Sequence, residues 1–158
     1  VIRNNVRSVI NTNDKGNAWW IFNFPFNLIN EPIFVLTCDN ITNIDFNLIE
    51  KDYIKKGKPE CFLIPVCPVK RLEGDFIHRR KNIVTKLSRT ITSDIYCSGI
   101  QIINPYKINK IVKKTEDFNE VWKKLISKKK LVVSDIVPNQ WFTIDSIRQL
   151  KLKKKKNR

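Results

Sequence analysis

The chain has 158 residues, enough for one domain with a real core and too few for two comfortable ones. Its 42 % hydrophobic and 10 % aromatic residues exclude disorder, and no apolar run approaches the length of a transmembrane helix. The net charge of +15, from 30 Lys+Arg against 15 Asp+Glu, is compatible with nucleic-acid binding, but much of the excess sits in Lys128-Lys129-Lys130 and in Lys151 to Arg158. Such runs are usually solvated, so the distribution argues against a nucleic acid as partner.

In chain order, Asn11 to Gly16 is polar and turn-like, and Asn17 is placed to cap a helix over Ala18-Trp19-Trp20-Ile21-Phe22. Pro25 limits or kinks that segment. Phe34-Val35-Leu36-Thr37-Cys38 is bounded by Pro32 and by Asp39-Asn40, which predicts a buried parallel strand over Ile33 to Thr37. Ligands collect at the carboxyl ends of such strands, so Asp39 stands where a magnesium ion or a ribose is held; the alternative is an ordinary turn. Asp45 caps a helix with Phe46, Ile49 and Tyr53 on one face and Gly57 at its end. Cys61 to Val66 is a second buried strand, with Pro65 near its end or at a bulge. This strand–helix–strand order predicts a right-handed crossover and a parallel sheet.

Asp75 to Leu87, turning at Lys81-Asn82, reads as a β-hairpin. Tyr96 to Ile103 is another strand, with Asn104-Pro105 starting a short helix to about Lys113. Phe118, Val121, Trp122, Leu125 and Ile126 recur with helical period after the cap Asp117, and Glu120 completes a capping-box pattern. Leu131-Val132-Val133 is extended, and Trp141 to Ser146 leads into a final helix from Ile147 to Leu152. The four cysteines show no C-x-x-C pairing, and the single histidine, His78, is too little for a zinc site; a reduced, cytoplasmic setting fits. The opening Val1-Ile2-Arg3 lacks the features of a signal peptide, and the absence of methionine points to a fragment cut from a longer protein.

The segments taken together resemble the nucleotidyltransferases that make nucleotide-sugars and related activated compounds. Phe34 to Asn40 looks like the family's apolar strand ending in a magnesium-binding aspartate, and Leu63-Ile64-Pro65-Val66 like its next central strand. Gly74-Asp75-Phe76-Ile77 is similar to the glycine-led stretch before the sugar-phosphate site. Ile83 to Arg89 resembles the stretch that normally ends in Glu-Lys, and Tyr96 to Pro105 the strand whose small residues, here Ser98 and Gly99, line the acceptor pocket. Trp141 to Ser146 looks like the closing Trp-x-Asp element or its acidic cytidylyl form. Gly16-Asn17-Ala18 resembles the Gly-Thr-Ala that lies against the base.

The resemblance implies an α/β, nucleotide-diphospho-sugar transferase-like fold: a Rossmann-like, mostly parallel sheet with flanking helices and a β-hairpin insertion. Its N-terminal part is absent, because four scattered glycines cannot form the family's triphosphate-binding loop. Residues 1–151 then correspond to the last two-thirds of a catalytic domain, and 152–158 to a basic disordered tail. The implied partners are a nucleoside triphosphate and a phosphorylated small molecule, sugar 1-phosphate before phosphocholine, with Mg²⁺ as cofactor. Asp39 is the implied catalytic and metal residue, and Gly16, Asn17, Ala18, Asp39 and Asn40 are the implied nucleotide contacts. Gly74, Arg89, Ser98 and Gly99 are the implied acceptor contacts.

Several roles stay open in the sequence. Thr143 stands where the family's second acid falls; Asp145, two residues on, either replaces it as a metal ligand or caps the terminal helix. Arg89 holds a phosphate or is a surface hairpin charge, and Gly99 admits a ligand or marks a bulge. His78 carries no chemistry, and the tryptophans pack the core and rim. A non-catalytic nucleotide-sugar-binding homologue and a basic nucleic-acid-binding domain are the competing functions.

Overall fold

Two apolar strands, β3 (Cys61–Val66) and β6 (Tyr96–Ile103), make the centre of this computed structural model, which describes residues 6, 8–69, 74–144 and 146. All six residues of β3 are buried, as an unbroken apolar run requires when both faces of a strand are covered. β6 pairs antiparallel with it, Cys61 opposite Ile103 and Ile64 opposite Ile100. The register then shifts so that Pro65 faces Cys97, and Ser98 and Gly99 bulge out of the ladder. Proline has no N–H to donate, so the ladder breaks beside it, as expected for Pro65.

The sheet is completed by β1 (Ile33–Val35), β4 (Phe76–Arg80), β5 (Ile83–Ser88) and β7 (Leu131–Val133) in the order β1-β6-β3-β7-β5-β4. A separate ribbon pairs β2 (Asn40–Asn43) with β8 (Gln140–Thr143), bringing Asn40 opposite Thr143. From the ladders, β1, β3, β4 and β7 point one way and β5 and β6 the other. The sheet is thus mostly parallel in strand direction, but β3–β7 is its one parallel ladder among the described residues. β1 and β3 are parallel without touching, because β6 lies between them and pairs antiparallel with both.

β1 departs from the expected buried parallel strand. It is three residues long, half-exposed at the sheet edge, and antiparallel to its neighbour. The chain leaves the sheet after Val35 because residues 36–39 must turn to deliver β2 into the ribbon.

Alternation along the central strands sends two apolar sets to opposite faces. Phe62, Ile64, Ile100 and Ile102 pack against Ile49 and Tyr53 of helix α1 (Phe46–Lys55). Cys61, Leu63 and Ile103 pack against Val121 and Leu125 of α3 (Phe118–Ser127) and Ile108 of α2 (Pro105–Asn109). Helix α1 has the expected ends: Asp45 accepts from the Leu48 N–H at 3.1 Å, and Gly57 takes a φ of +81°. Phe46, however, is exposed and meets Phe34 edge-on at 5.1 Å.

Three other expectations are corrected. The Trp19–Phe22 segment is a single 3₁₀ turn without a side-chain cap, and Asn17 instead accepts from the Phe118 N–H at 3.0 Å, capping α3. The return bond of the capping box is not made: the Asp117 N–H donates to Thr115 Oγ1, and Glu120 pairs with Lys123. Helix α2 stops at Asn109 rather than Lys113, and the Asn109 amide folds back onto the carbonyls of Pro105 and Ile21. Asp145 and the expected helix from 147 to 152 lie outside the described residues. No helix among the described residues is long and apolar enough to cross a membrane.

Candidate functional site

A cleft of about 370 Å³ opens on the α3 face of the sheet, a volume in the range of small-molecule sites. Val35, Gly99 and Gln101 form its floor, and the rings of Trp20, Phe118 and Trp122 line it. Asp75 and Arg89 stand at the hairpin side, joined by an Nε–Oδ1 contact of 3.4 Å. The Arg89 side chain is 71 % exposed, and its Nε engages Asp75 while the rest of the guanidinium can reach a ligand's anion.

Of the residues the sequence implicated, the cleft collects Asn17, Arg89 and Gly99. Gly16 and Ala18 are fixed elsewhere: the Gly16 N–H donates to Glu116 Oε2 at 3.2 Å and the Ala18 N–H to the Glu116 carbonyl at 3.0 Å. Ala18 is wholly buried in the core. Gly74 leaves room for the Tyr96 ring, which a Cβ there would overlap. Ser98 is 3 % exposed and faces the sheet, where its hydroxyl donates to the Ile64 carbonyl at 2.6 Å and accepts from the Ile100 N–H at 3.0 Å. Its hydroxyl thus bonds to the backbone of both strands beside the bulge.

Of the two readings of Gly99, the bulge is the one the backbone shows. It lies in the bulge with φ +80° and also floors the cleft. A Cβ there would lie 2.7 Å from Thr37 Oγ1.

Asp39 sits on the turn two residues past Thr37, which lines the cleft. The carboxylate is exposed, and its Oδ2 accepts from the Thr143 hydroxyl at 3.3 Å. The ribbon thus sets Thr143 beside Asp39, at the position where the resembled family has a second acid. Asn40 anchors this turn by donating to Thr37 Oγ1 and to the Ser98 carbonyl, both at 2.6 Å.

Mg²⁺ is commonly held by one or two carboxylates together with substrate phosphates and water. One exposed carboxylate with a hydroxyl beside it fits that donor set. Among the described residues no three His, Cys, Asp or Glu side chains are grouped for an all-protein metal site.

The thiols of Cys61, which is buried, and Cys97, which is half-buried, are held in the protonated form. Burial, with the Asp75 charge adding to it, pushes the Cys97 thiol up to about 12, and burial raises Cys61 further still. Gln101 and Thr37 also line the cleft and were not among the residues the sequence implicated. The signal for the first was a lone amide side chain in the apolar run Ile100-Gln101-Ile102.

This fold is shared with solved nucleotidyltransferases. The inositol-1-phosphate CTP transferase of T. maritima superposes with a TM-score of 0.66 at 18 % identity, covering 89 % of this chain and 60 % of that one. A putative glucose-1-phosphate thymidylyltransferase of Bacillus anthracis gives 0.65 at 11 % identity, over 88 % and 60 % of the two chains. A UDP-glucose pyrophosphorylase complexed with UDP-glucose gives 0.58 at 11 % identity, over 82 % and 58 %. The chain therefore spans about 60 % of the length of these structures. No protein-family model and no curated protein sequence matches it.

Proposed function

We propose that this chain is the acceptor-binding body of a Mg²⁺-dependent nucleotidyltransferase that couples a nucleoside triphosphate to a sugar 1-phosphate or a similar phosphorylated small molecule. The observation that carries the reading is the cleft itself. It places Arg89 at its mouth and Gly99 on its floor, with the Asp39 turn at its edge.

In the reaction, a phosphate oxygen of the acceptor attacks the α-phosphorus of the triphosphate. The new P–O–P linkage forms as the α–β bond breaks, and pyrophosphate carries away the electron pair. Arg89 neutralises acceptor phosphate charge, and the aromatic wall holds the acceptor's carbon skeleton. Asp39 would hold the magnesium ion, which when bound neutralises the triphosphate. Catalysis of this kind is mostly positioning and electrostatics, so few side chains need to react. The 158 residues contain no glycine-rich loop to cradle a triphosphate, so the chain alone is expected to bind acceptor without turnover.

Calorimetric titration with glucose 1-phosphate, and with nucleoside triphosphates in the presence and absence of Mg²⁺, tests the reading. Wild type should bind glucose 1-phosphate and show magnesium-dependent nucleotide binding, and Asp39→Ala should lose only the latter. Steep salt-dependent affinity for any polyanion, unchanged by Asp39→Ala, would refute it in favour of a nucleic-acid-binding domain. Thr143 beside Asp39 favours a second reading, a binding homologue without catalysis. A Thr143→Asp variant that fails to strengthen magnesium binding would support that version.

A further inference from the structure

Gln101 is only 3 % exposed, yet it lines the cleft. Its Oε1 accepts from the Trp122 indole N–H at 3.1 Å and from the Cys61 thiol at 3.3 Å. An indole N–H can only donate, so the amide oxygen must face Trp122 and the amide nitrogen must face away. Among the described residues that nitrogen has no hydrogen-bond partner. It is not sealed either, because the one fully enclosed side-chain polar atom lacking a partner there is Asn27 Oδ1. The result is a donor held in a fixed direction beneath an aromatic-lined cleft. A ligand with an oxygen in reach keeps that donor satisfied as it displaces water from the cleft, and a ligand without one leaves the donor unpaired at a cost.

We infer that Gln101 is the residue that makes this cleft selective for hydroxyl-bearing acceptors: its NH₂ donates to a hydroxyl oxygen of a sugar or polyol phosphate, and it disfavours phosphocholine. The inference rests on the acceptor reading of the cleft and narrows it. The rings of Trp20, Phe118 and Trp122 do not discriminate, since aromatic faces suit both sugar C–H groups and a trimethylammonium. Gln101 does. A choline headgroup has no oxygen to accept from the amide and presents positive charge to a donor. Trp122 is a positioning residue here, because its indole fixes which end of the amide faces the ligand.

The test is an NMR titration of the wild-type chain and of Gln101→Met with glucose 1-phosphate, myo-inositol 1-phosphate, phosphocholine and inorganic phosphate. At least one of the two hydroxylated ligands should move the Gln101 side-chain NH₂ signals. Gln101→Met should weaken that ligand about tenfold, leave inorganic phosphate unchanged and strengthen phosphocholine, whose headgroup no longer meets an unpaired donor. Equal binding of the hydroxylated ligands to both proteins overturns the role of Gln101 and leaves the acceptor cleft standing. Preference of the wild type for phosphocholine overturns the role as well. Failure of all four to bind overturns the acceptor reading and this inference with it. If Gln101→Met does not fold, deoxy analogues of glucose 1-phosphate replace it on the wild type. Loss of one hydroxyl must then reproduce the tenfold effect, and uniform binding of every analogue refutes the assignment.

Discussion

Replacing Gly99 by alanine tests the link between the bulge and the cleft. Two penalties are separable there. The backbone at residue 99 has φ +80°, a left-handed conformation that a side chain makes unfavourable by about 1–2 kcal/mol. The new Cβ would also stand 2.7 Å from Thr37 Oγ1 and 3.0 Å from its Cγ2, too close for either to stay. Moving Thr37 breaks its 2.6 Å bond from Asn40, a net loss of about 1 kcal/mol. The sum is about 2–3 kcal/mol, which for a chain of this size lowers Tm by roughly 5–10 °C. Urea unfolding followed by tryptophan fluorescence measures it, with Thr37→Ala as the second arm. That change deletes both colliding atoms, so Gly99→Ala on its background should keep only the backbone penalty. The cycle should therefore show a coupling of about 1 kcal/mol. Equal penalties in the two backgrounds would refute the steric argument, and a loss below about 0.5 kcal/mol would refute both parts.

Ser98→Ala removes a buried hydroxyl that bonds to the Ile64 carbonyl and the Ile100 N–H, and should destabilise the chain by about 1 kcal/mol in the same assay. Asp135 gives a pH-dependent case. Hydrogen bonds from Lys56, opposed in part by burial and reinforced by Asn82 and Arg79, hold its carboxyl below the ordinary 3.8. A depressed folded value contributes stability that is present above pH 3.8 and is lost as pH falls through the folded value. Asp135→Asn should remove that part of the acid sensitivity. With Asp135 53 % exposed, the effect should stay below about 1 kcal/mol and shrink in salt, as urea titrations at pH 3 and pH 6 will show.

Local chemistry made much of the fold legible. Asp45 and Gly57 bound α1, Pro65 marks the bulge, Lys81 turns the hairpin with φ +56°, and Tyr96–Ile103 is a strand with the bounds its apolar run predicted. Each signal acts within a few residues of its cause. What failed depends on partners far along the chain. Asn17 has the chemistry of a cap, but the N–H it meets belongs to Phe118, 101 residues away. The neighbour of β1 is β6 rather than β3, and no local pattern reports strand order. The resemblance found the region of the cleft through Gly99 and Arg89, yet misjudged Ser98, whose side chain the bulge turns inward. Gln101 needed Trp122 in place before its orientation had any meaning.

The bulge at Ser98-Gly99 also ties the proposed metal turn to the proposed acceptor cleft. The Ser98 carbonyl accepts from the Asn40 amide at 2.6 Å and from the Trp141 indole at 3.0 Å, so one backbone oxygen ties both strands of the ribbon to β6. Asn40 holds Thr37 at the cleft, and Asp39 lies between these two anchors, its own carbonyl accepting from the Ile144 N–H at 3.0 Å. Asp39 therefore has little freedom apart from the floor beneath it. A substitution at Ser98 or Gly99 that leaves the chain folded should thus weaken magnesium-dependent nucleotide binding without touching the carboxylate. The same substitution should alter acceptor affinity, because Thr37 and Gly99 share the cleft. Loss of one property without the other would separate the two halves of the site and break the mechanical argument.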